Sequence, residues 1–259
     1  MSTVYPIILV HGIAVKDFKK FKAFGRIERN LKAQGFCVYT AKTDGFGTIE
    51  HNAETLKAEI LNILKAEGAE KVNIIAHSKG GLDSKCMITQ MDMGGKVASL
   101  TTLCTPHKGS KIADNILKLP KFIVKFLAFW INFWYKIFGD KKPDSLTVCK
   151  QLKTVTDDDI SSVSGIDGVY CQSYSTTLRR SCDDFLMGIP LIFSRKFEGS
   201  QSDGLVAPAS AKFAEYRGDC IDDSISHSEI IGYSASKKKR KKVYDFYIEL
   251  CNLLASLGF

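Results

Sequence analysis

Eight cysteines occur in the 259-residue chain, yet none is spaced as Cys-x-x-Cys. That argues against a zinc site. Cys37, Cys86, Cys104 and Cys251 fall inside expected strands or helices, so the thiols read as reduced core residues. No basic leader precedes the apolar run Pro6–Val10. A signal peptide is therefore not expected, and the expected location is cytoplasmic, with peripheral membrane association open. The net charge is +8, but no recognition helix, aromatic stacking motif or zinc finger accompanies it. Nucleic acid is thus not expected, and an anionic membrane surface is the better match for the charge. Internal repeats, low-complexity tracts and linkers are also missing, so residues 1–259 read as a single domain.

What is present alternates. Pro6–Val10, Phe36–Thr40, Val72–Ala76, Val97–Leu103 and Val169–Tyr174 read as buried strands, with Leu191–Phe193 as a further candidate. Asp17–Ala33, Ile49–Glu67, Lys79–Met91 and Val243–Leu257 carry helical patterns. Strand and helix in turn predict an α/β fold with a mostly parallel central sheet and helices on both faces.

Within Val72-Asn73-Ile74-Ile75-Ala76-His77-Ser78-Lys79-Gly80-Gly81 an apolar run ends at a serine with small residues two positions either side. This is the pattern of a strand-to-helix turn that holds a serine in strained geometry and lifts its hydroxyl clear of the sheet. Ala76 stands where glycine is usual, and Gly80 is the second small residue. A serine needs a base, and the base needs an acid to fix its tautomer. Only five histidines are available. His11 lies in the turn after the first strand and His51 opens a surface helix. His77 precedes Ser78, so its side chain is expected on the other side of the strand. His107 follows the strand ending near Cys104. His227, late in a polar loop, is left as the base. Asp203, in Gln201-Ser202-Asp203-Gly204-Leu205-Val206, is the best acid and is expected at a strand end, with Asp222 and Asp223 in reserve. The oxyanion donors are expected to be the backbone N–H groups of Lys79 and Ile13, supported by His11, Gly12 and Gly80. Their side chains would stay free for other work.

These segments resemble the α/β-hydrolase lipases, most closely the bacterial triacylglycerol lipase group. His11-Gly12 is similar to that family's oxyanion loop, and Ala76–Gly81 to its nucleophile elbow. Thr101–Ser110 resembles the strand and loop before its lid. Ser202–Val206 looks like its acid motif, and Ser226–Glu229 like its histidine motif. The resemblance implies an α/β-hydrolase fold, a helical lid insertion at about 111–145 and a serine esterase. It implies no cofactor for the chemistry. It also raises a structural calcium near the histidine loop, where Glu229 occupies the position of the family's aspartate.

Two segments stand apart. Lys118–Phe138 is dense in Phe122, Phe126, Phe129, Trp130, Phe133 and Trp134. On a helical wheel Lys118, Lys121, Lys125, Asn132 and Lys136 fall within roughly 60° of one another. A membrane span, a core helix and a lipid-contacting cap over the active site all compete here, and the cap fits best. Lys237–Lys242 is a basic run that reads as a solvated stretch, an anionic-lipid contact or a nuclear-type address. The chain is thus expected to cleave lipid esters such as acylglycerols through an acyl-enzyme. A phospholipase, a thioesterase or an acyltransferase with the same triad are alternatives, as is a lipid-surface binder without turnover.

Overall fold

A computed structural model describes residues 2–18, 21–155, 165–198 and 201–259. Six parallel strands make its sheet: β1 (Ile7–Val10), β2 (Val38–Thr40), β3 (Val72–His77), β4 (Val97–Leu103), β5 (Tyr170–Ser175) and β6 (Glu215–Asp219). Their order is β2-β1-β3-β4-β5-β6, so the strand leading to Ser78 lies near the middle. β1, β3 and β4 are buried from end to end. Apolar residues on both faces are what a parallel sheet covered by helices requires.

The helices are α1 (Ile27–Ala33), α2 (Ile49–Glu67), α3 (Lys79–Gln90), α4 (Lys111–Leu117), α5 (Lys121–Ile137), α6 (Ser145–Gln151), α7 (Gly188–Glu198), α8 (Pro208–Ala211) and α9 (Lys237–Ser256). Ile7 and Leu9 of β1 pack with Ile27 and Leu31 of α1 and with Val243, Phe246 and Tyr247 of α9. Ile8 and Val10 pack on the opposite face with Leu56 and Ile60 of α2 and Met87 of α3. Each fully buried aliphatic side chain in these layers contributes about 1.5–3 kcal/mol. α2 matches its expected bounds, capped by the Thr48 hydroxyl at its start and by Gly68 at φ 63° at its end.

Three expectations need correction, and one strand had no expectation. The helix expected over Asp17–Ala33 is helical only from Ile27. Gly25 adopts φ 50° and Asp17 accepts the Ala23 N–H at 2.8 Å, which folds the earlier part into turns. Residues 19 and 20 lie outside the described residues. Leu191–Phe193 is part of α7, not a strand. Leu191 and Ser194 are buried while Ile192 and Phe193 are exposed, the spacing of one helix face. β6 escaped notice because Glu215-Tyr216-Arg217-Gly218-Asp219 is a polar edge strand with no apolar alternation. Finally, α9 starts at Lys237, so the basic run is helical rather than a lead-in. Among the described residues no helix is long and apolar enough to cross a membrane, which removes the membrane-span reading of α5.

Candidate active site

Ser78 sits between β3 and α3 with φ 54° and ψ −132°, a conformation that non-glycine residues rarely hold. Close packing enforces it. A Cβ on Gly80 would lie 2.5 Å from the His11 carbonyl oxygen, so α3 can begin here only through glycine. A Cβ on Gly12 would lie 2.6 Å from Cβ of Ser78, which shows how near the β1 loop runs to the serine. The register agrees, since Val10 pairs with Ala76 and both chains leave the sheet side by side.

Among the described residues, neither the Ile13 N–H nor the Lys79 N–H has an acceptor. Lys79 opens α3, where main-chain donors lack partners and the helix dipole favours negative charge. His11 is buried between Gly12 and Thr43: Nδ1 lies 3.0 Å from the Gly12 carbonyl and Nε2 lies 3.2 Å from the Thr43 hydroxyl. Burial lowers its pKa and favours the neutral ring. The Lys79 side chain is not free. It is 1% exposed and donates to Asp83 at 2.6 Å, while Asn52 donates to the other Asp83 oxygen at 3.0 Å. Burial pushes the Asp83 carboxyl up to about 6 in spite of Lys79. This i, i+4 pair was present in the sequence as a readable signal that catalytic motifs overshadowed. The Ile13 side chain is also engaged, packing with Leu82, Ala113, Val148 and Leu152.

Asp203 and His227 come together across 24 residues. His227 Nδ1 lies 2.7 Å from Asp203 Oδ2, and the His227 N–H donates to the Asp203 carbonyl at 2.9 Å. The other carboxylate oxygen of Asp203 accepts the N–H groups of Leu205 and Val206 at 2.9 and 2.8 Å. Asp203 is not at a strand end, contrary to expectation. It lies in the long connection between β5 and β6, between α7 and α8. Of the reserve acids, Asp222 pairs with Arg179 and Asp223 with Lys242. His77 is likewise not turned away. Its ring lies 4.5 Å from that of His227, and burial holds its pKa well below the usual value. The Ser78 hydroxyl makes no hydrogen bond among the described residues, and such catalytic contacts commonly close only when substrate binds. Two surface clefts of about 590 and 880 Å³ lie elsewhere, and neither is lined by Ser78.

Glu229 was the residue expected to reach a calcium ion. Its carboxylate instead accepts Lys239 Nζ at 2.9 and 3.1 Å, the Ser234 hydroxyl at 2.6 Å and the Ser226 N–H at 3.1 Å. An ammonium already supplies the positive charge, and calcium needs six to eight oxygen ligands. The residues around Glu229 therefore do not fit the ion. Cys104, Asp203 and His227 offer ligand atoms within 4.8 Å of one another, but the Asp203 and His227 atoms are bonded to each other. A metal there would have to break that bond.

A model of the palmitoyl protein thioesterase family matches residues 6–154, more than half of the chain. The chain belongs to the palmitoyl protein thioesterase family. Within this family setting its sequence is similar to triacylglycerol lipase 2 of Saccharomyces cerevisiae, 28% identical over 90% of this chain and 73% of the yeast protein. It is also 41% identical to a triacylglycerol lipase of Pseudarthrobacter phenanthrenivorans, over 44% of this chain and only 37% of that enzyme's length. Lipase 1 of Pelosinus fermentans superposes with a TM-score of 0.69 at 18% identity, covering 98% of this chain and 99% of that one. The fold is that of the α/β-hydrolases, and the sequence relatives make this family member a serine ester hydrolase.

The lid segment expected at about 111–145 holds the helices α4 and α5 and ends where α6 begins. Along α5, Phe122, Phe126, Phe129, Trp130, Phe133 and Trp134 are all exposed, Phe122 at 74%. Only Val124 and Ala128 of that helix are buried, so α5 is not a core helix. The basic run is mostly committed internally. Lys239 holds Glu229, Arg240 donates to the Ser234 and Ala235 carbonyls, Lys241 pairs with Asp245 and Lys242 with Asp223.

Proposed function

We propose that Ser78, His227 and Asp203 form a proton relay that cleaves carboxylic esters of lipids through an acyl-enzyme. His227 Nε2 takes the proton of the Ser78 hydroxyl as its oxygen attacks the ester carbonyl. The negative oxygen of the tetrahedral intermediate is held by the N–H groups of Ile13 and Lys79. The alcohol leaves with the proton from His227, and water then attacks the acyl-enzyme by the same route. Asp203 keeps the proton on Nδ1 throughout, the tautomer this chemistry needs. The parts required are side chains and main-chain donors of this chain, with no cofactor among them. The observation that carries the reading is the buried 2.7 Å contact between His227 and Asp203, with the His227 ring 4.5 Å from that of His77, which precedes a serine held at φ 54°.

The aromatic surface of α5 points to long or aggregated acyl substrates, since a small soluble ester gives it nothing to cover. With Lys121 and Lys125 beside its aromatics, the helix suits a peripheral contact with an anionic lipid surface. The family description favours a second reading, hydrolysis of long-chain acyl thioesters at the same serine. A fluorophosphonate probe tests the relay: the wild-type protein is labelled and Ser78→Ala is not. An unlabelled wild type would favour a lipid binder without turnover. A panel of graded p-nitrophenyl esters, triglycerides, phospholipids and acyl thioesters orders the substrates. Activity that does not rise across a substrate's solubility limit would remove the lipid-surface role of α5.

A further inference from the structure

The Ile13–Lys16 segment turns sharply after Gly12, and Ala14 holds φ 61°. A left-handed alanine carries strain of about 1 kcal/mol and persists only where its surroundings hold it. Both polar groups of Ala14 are held by distant partners. Its N–H donates to the Gly45 carbonyl at 3.1 Å, and its carbonyl accepts the Tyr135 hydroxyl at 2.8 Å. Tyr135 belongs to the last turn of α5, within the insertion. Its ring packs on Gly45, where a Cβ would lie 2.9 Å away, and meets Phe46 edge-on at 4.5 Å.

The Gly45 partner is fixed from the same side. Asp140, three residues after α5 ends at Ile137, is 2% exposed and accepts the N–H groups of Gly45 and Phe46 at 3.1 and 2.9 Å. It also accepts Lys16 Nζ at 2.6 Å, which ties down the far end of the oxyanion segment. Lys142 and Asp144 extend the seam, through the Asp44 carboxylate and the Phe46 carbonyl at 2.8 Å each. One end of α5 is thus riveted to the catalytic loop, while its Phe122–Phe133 stretch faces outward.

We propose that Tyr135 and Asp140 are positioning residues for the oxyanion donor at Ile13, so that the C-terminal end of α5 is a fixed strut of the catalytic machinery and not part of a moving cap. This inference rests on the ester-hydrolase reading above. Without the Tyr135 hydroxyl, Ala14 loses one of its two holds and the Ile13 N–H drifts from the place where negative charge develops. The loss falls on the transition state and not on ground-state binding.

The test uses the full chain and p-nitrophenyl butyrate below its solubility limit, where a lipid surface plays no part. Tyr135→Phe keeps the ring on Gly45 and Phe46 and removes one oxygen. Its kcat is expected to fall about tenfold with KM within about twofold, the scale of one hydrogen bond. A trifluoromethyl ketone inhibitor, whose hemiketal oxygen uses the same donors, should weaken by the same factor as kcat/KM falls. Asp140→Asn should move both quantities in the same direction. Should Asp140→Asn fail to fold, Tyr135→Phe carries the test alone. A lower melting temperature in Tyr135→Phe with unchanged kcat and unchanged inhibitor binding overturns the proposal and leaves a merely structural brace. A wild type that neither hydrolyses the ester nor reacts with a fluorophosphonate overturns the functional reading and this inference with it.

Discussion

Ser78 and His227 are held by different means, with the His227 ring 4.5 Å from that of His77, the residue before Ser78. Ser78 is delivered by β3, an inner strand of the sheet, and its strained geometry is forced by glycines that let α3 and the β1 loop close in. His227 is delivered by an irregular loop beyond β6, held by side-chain bonds. These run from Asp203 to its ring, from Lys239 and Ser234 to Glu229, and from the Ser226 and Ser228 hydroxyls to Asp184. The serine side depends on backbone packing that admits almost no alternative, whereas the histidine side depends on charges and hydroxyls that can be removed one at a time. The difference teaches where the site is open to adjustment: disturbing the first region threatens the fold, and disturbing the second detunes the chemistry.

Asp203→Asn should have the largest effect. It keeps the shape but lets His227 adopt the wrong tautomer, and kcat should drop about 10⁴-fold, read by ester hydrolysis, with the melting temperature little changed. A large loss of stability instead would mean that the histidine side is as rigid as the serine side. Removing the paired lysines Lys79 and Lys239 sharpens the contrast. Lys79→Met strands the Asp83 carboxylate beside the nucleophile and should destabilise the protein by about 3 kcal/mol in urea unfolding. Lys239→Met strands Glu229 at a more accessible place and should cost about 2 kcal/mol, with Lys239→Arg recovering part of it. Equal losses would erase the distinction.

The smallest effect, taken per pH unit, concerns acid. Burial, helped by Lys85, lowers the His107 pKa to about 3, and burial keeps His11 and His77 low as well. In the unfolded chain these rings take up protons below about pH 6.5. Folded His107 does not until about pH 3, so the unfolded state binds more protons and stability falls as pH drops from about 6.5 towards 3. His107 contributes about 1.4 kcal/mol per pH unit across that window, and His11 and His77 act in the same direction. His107→Asn should flatten the acid limb of a urea-unfolding profile by that amount. An unchanged slope would show that His107 titrates normally.

Much of the serine side was legible beforehand. Val72–Ala76, Gly80 and the apolar runs of β1 and β4 follow rules that depend only on neighbours along the chain: strand periodicity, small residues at a close crossing, helix caps. Motif order also leads one to pair Asp203 with His227, which do meet at 2.7 Å, but their setting is not legible. Asp203 is off any strand end, His77 touches the base, and Glu229 faces an ammonium donated by Lys239. Nothing local distinguishes Lys239 from Lys238 next to it. The same holds for Tyr135, one aromatic among many in α5, whose hydroxyl alone reaches Ala14.

By itself the sequence determined the inner strands β1, β3 and β4, the bounds of α2 and the small-residue turn that holds Ser78, because hydrophobic period and backbone sterics act over a few residues. Only the tertiary structure decided which lysine braces the histidine loop and which end of α5 is anchored to the oxyanion segment. Those outcomes depend on charges and hydroxyls brought within about 3 Å across more than a hundred residues for Tyr135 and Ala14. Burial then gives such contacts their strength, and burial is a property of the assembled molecule.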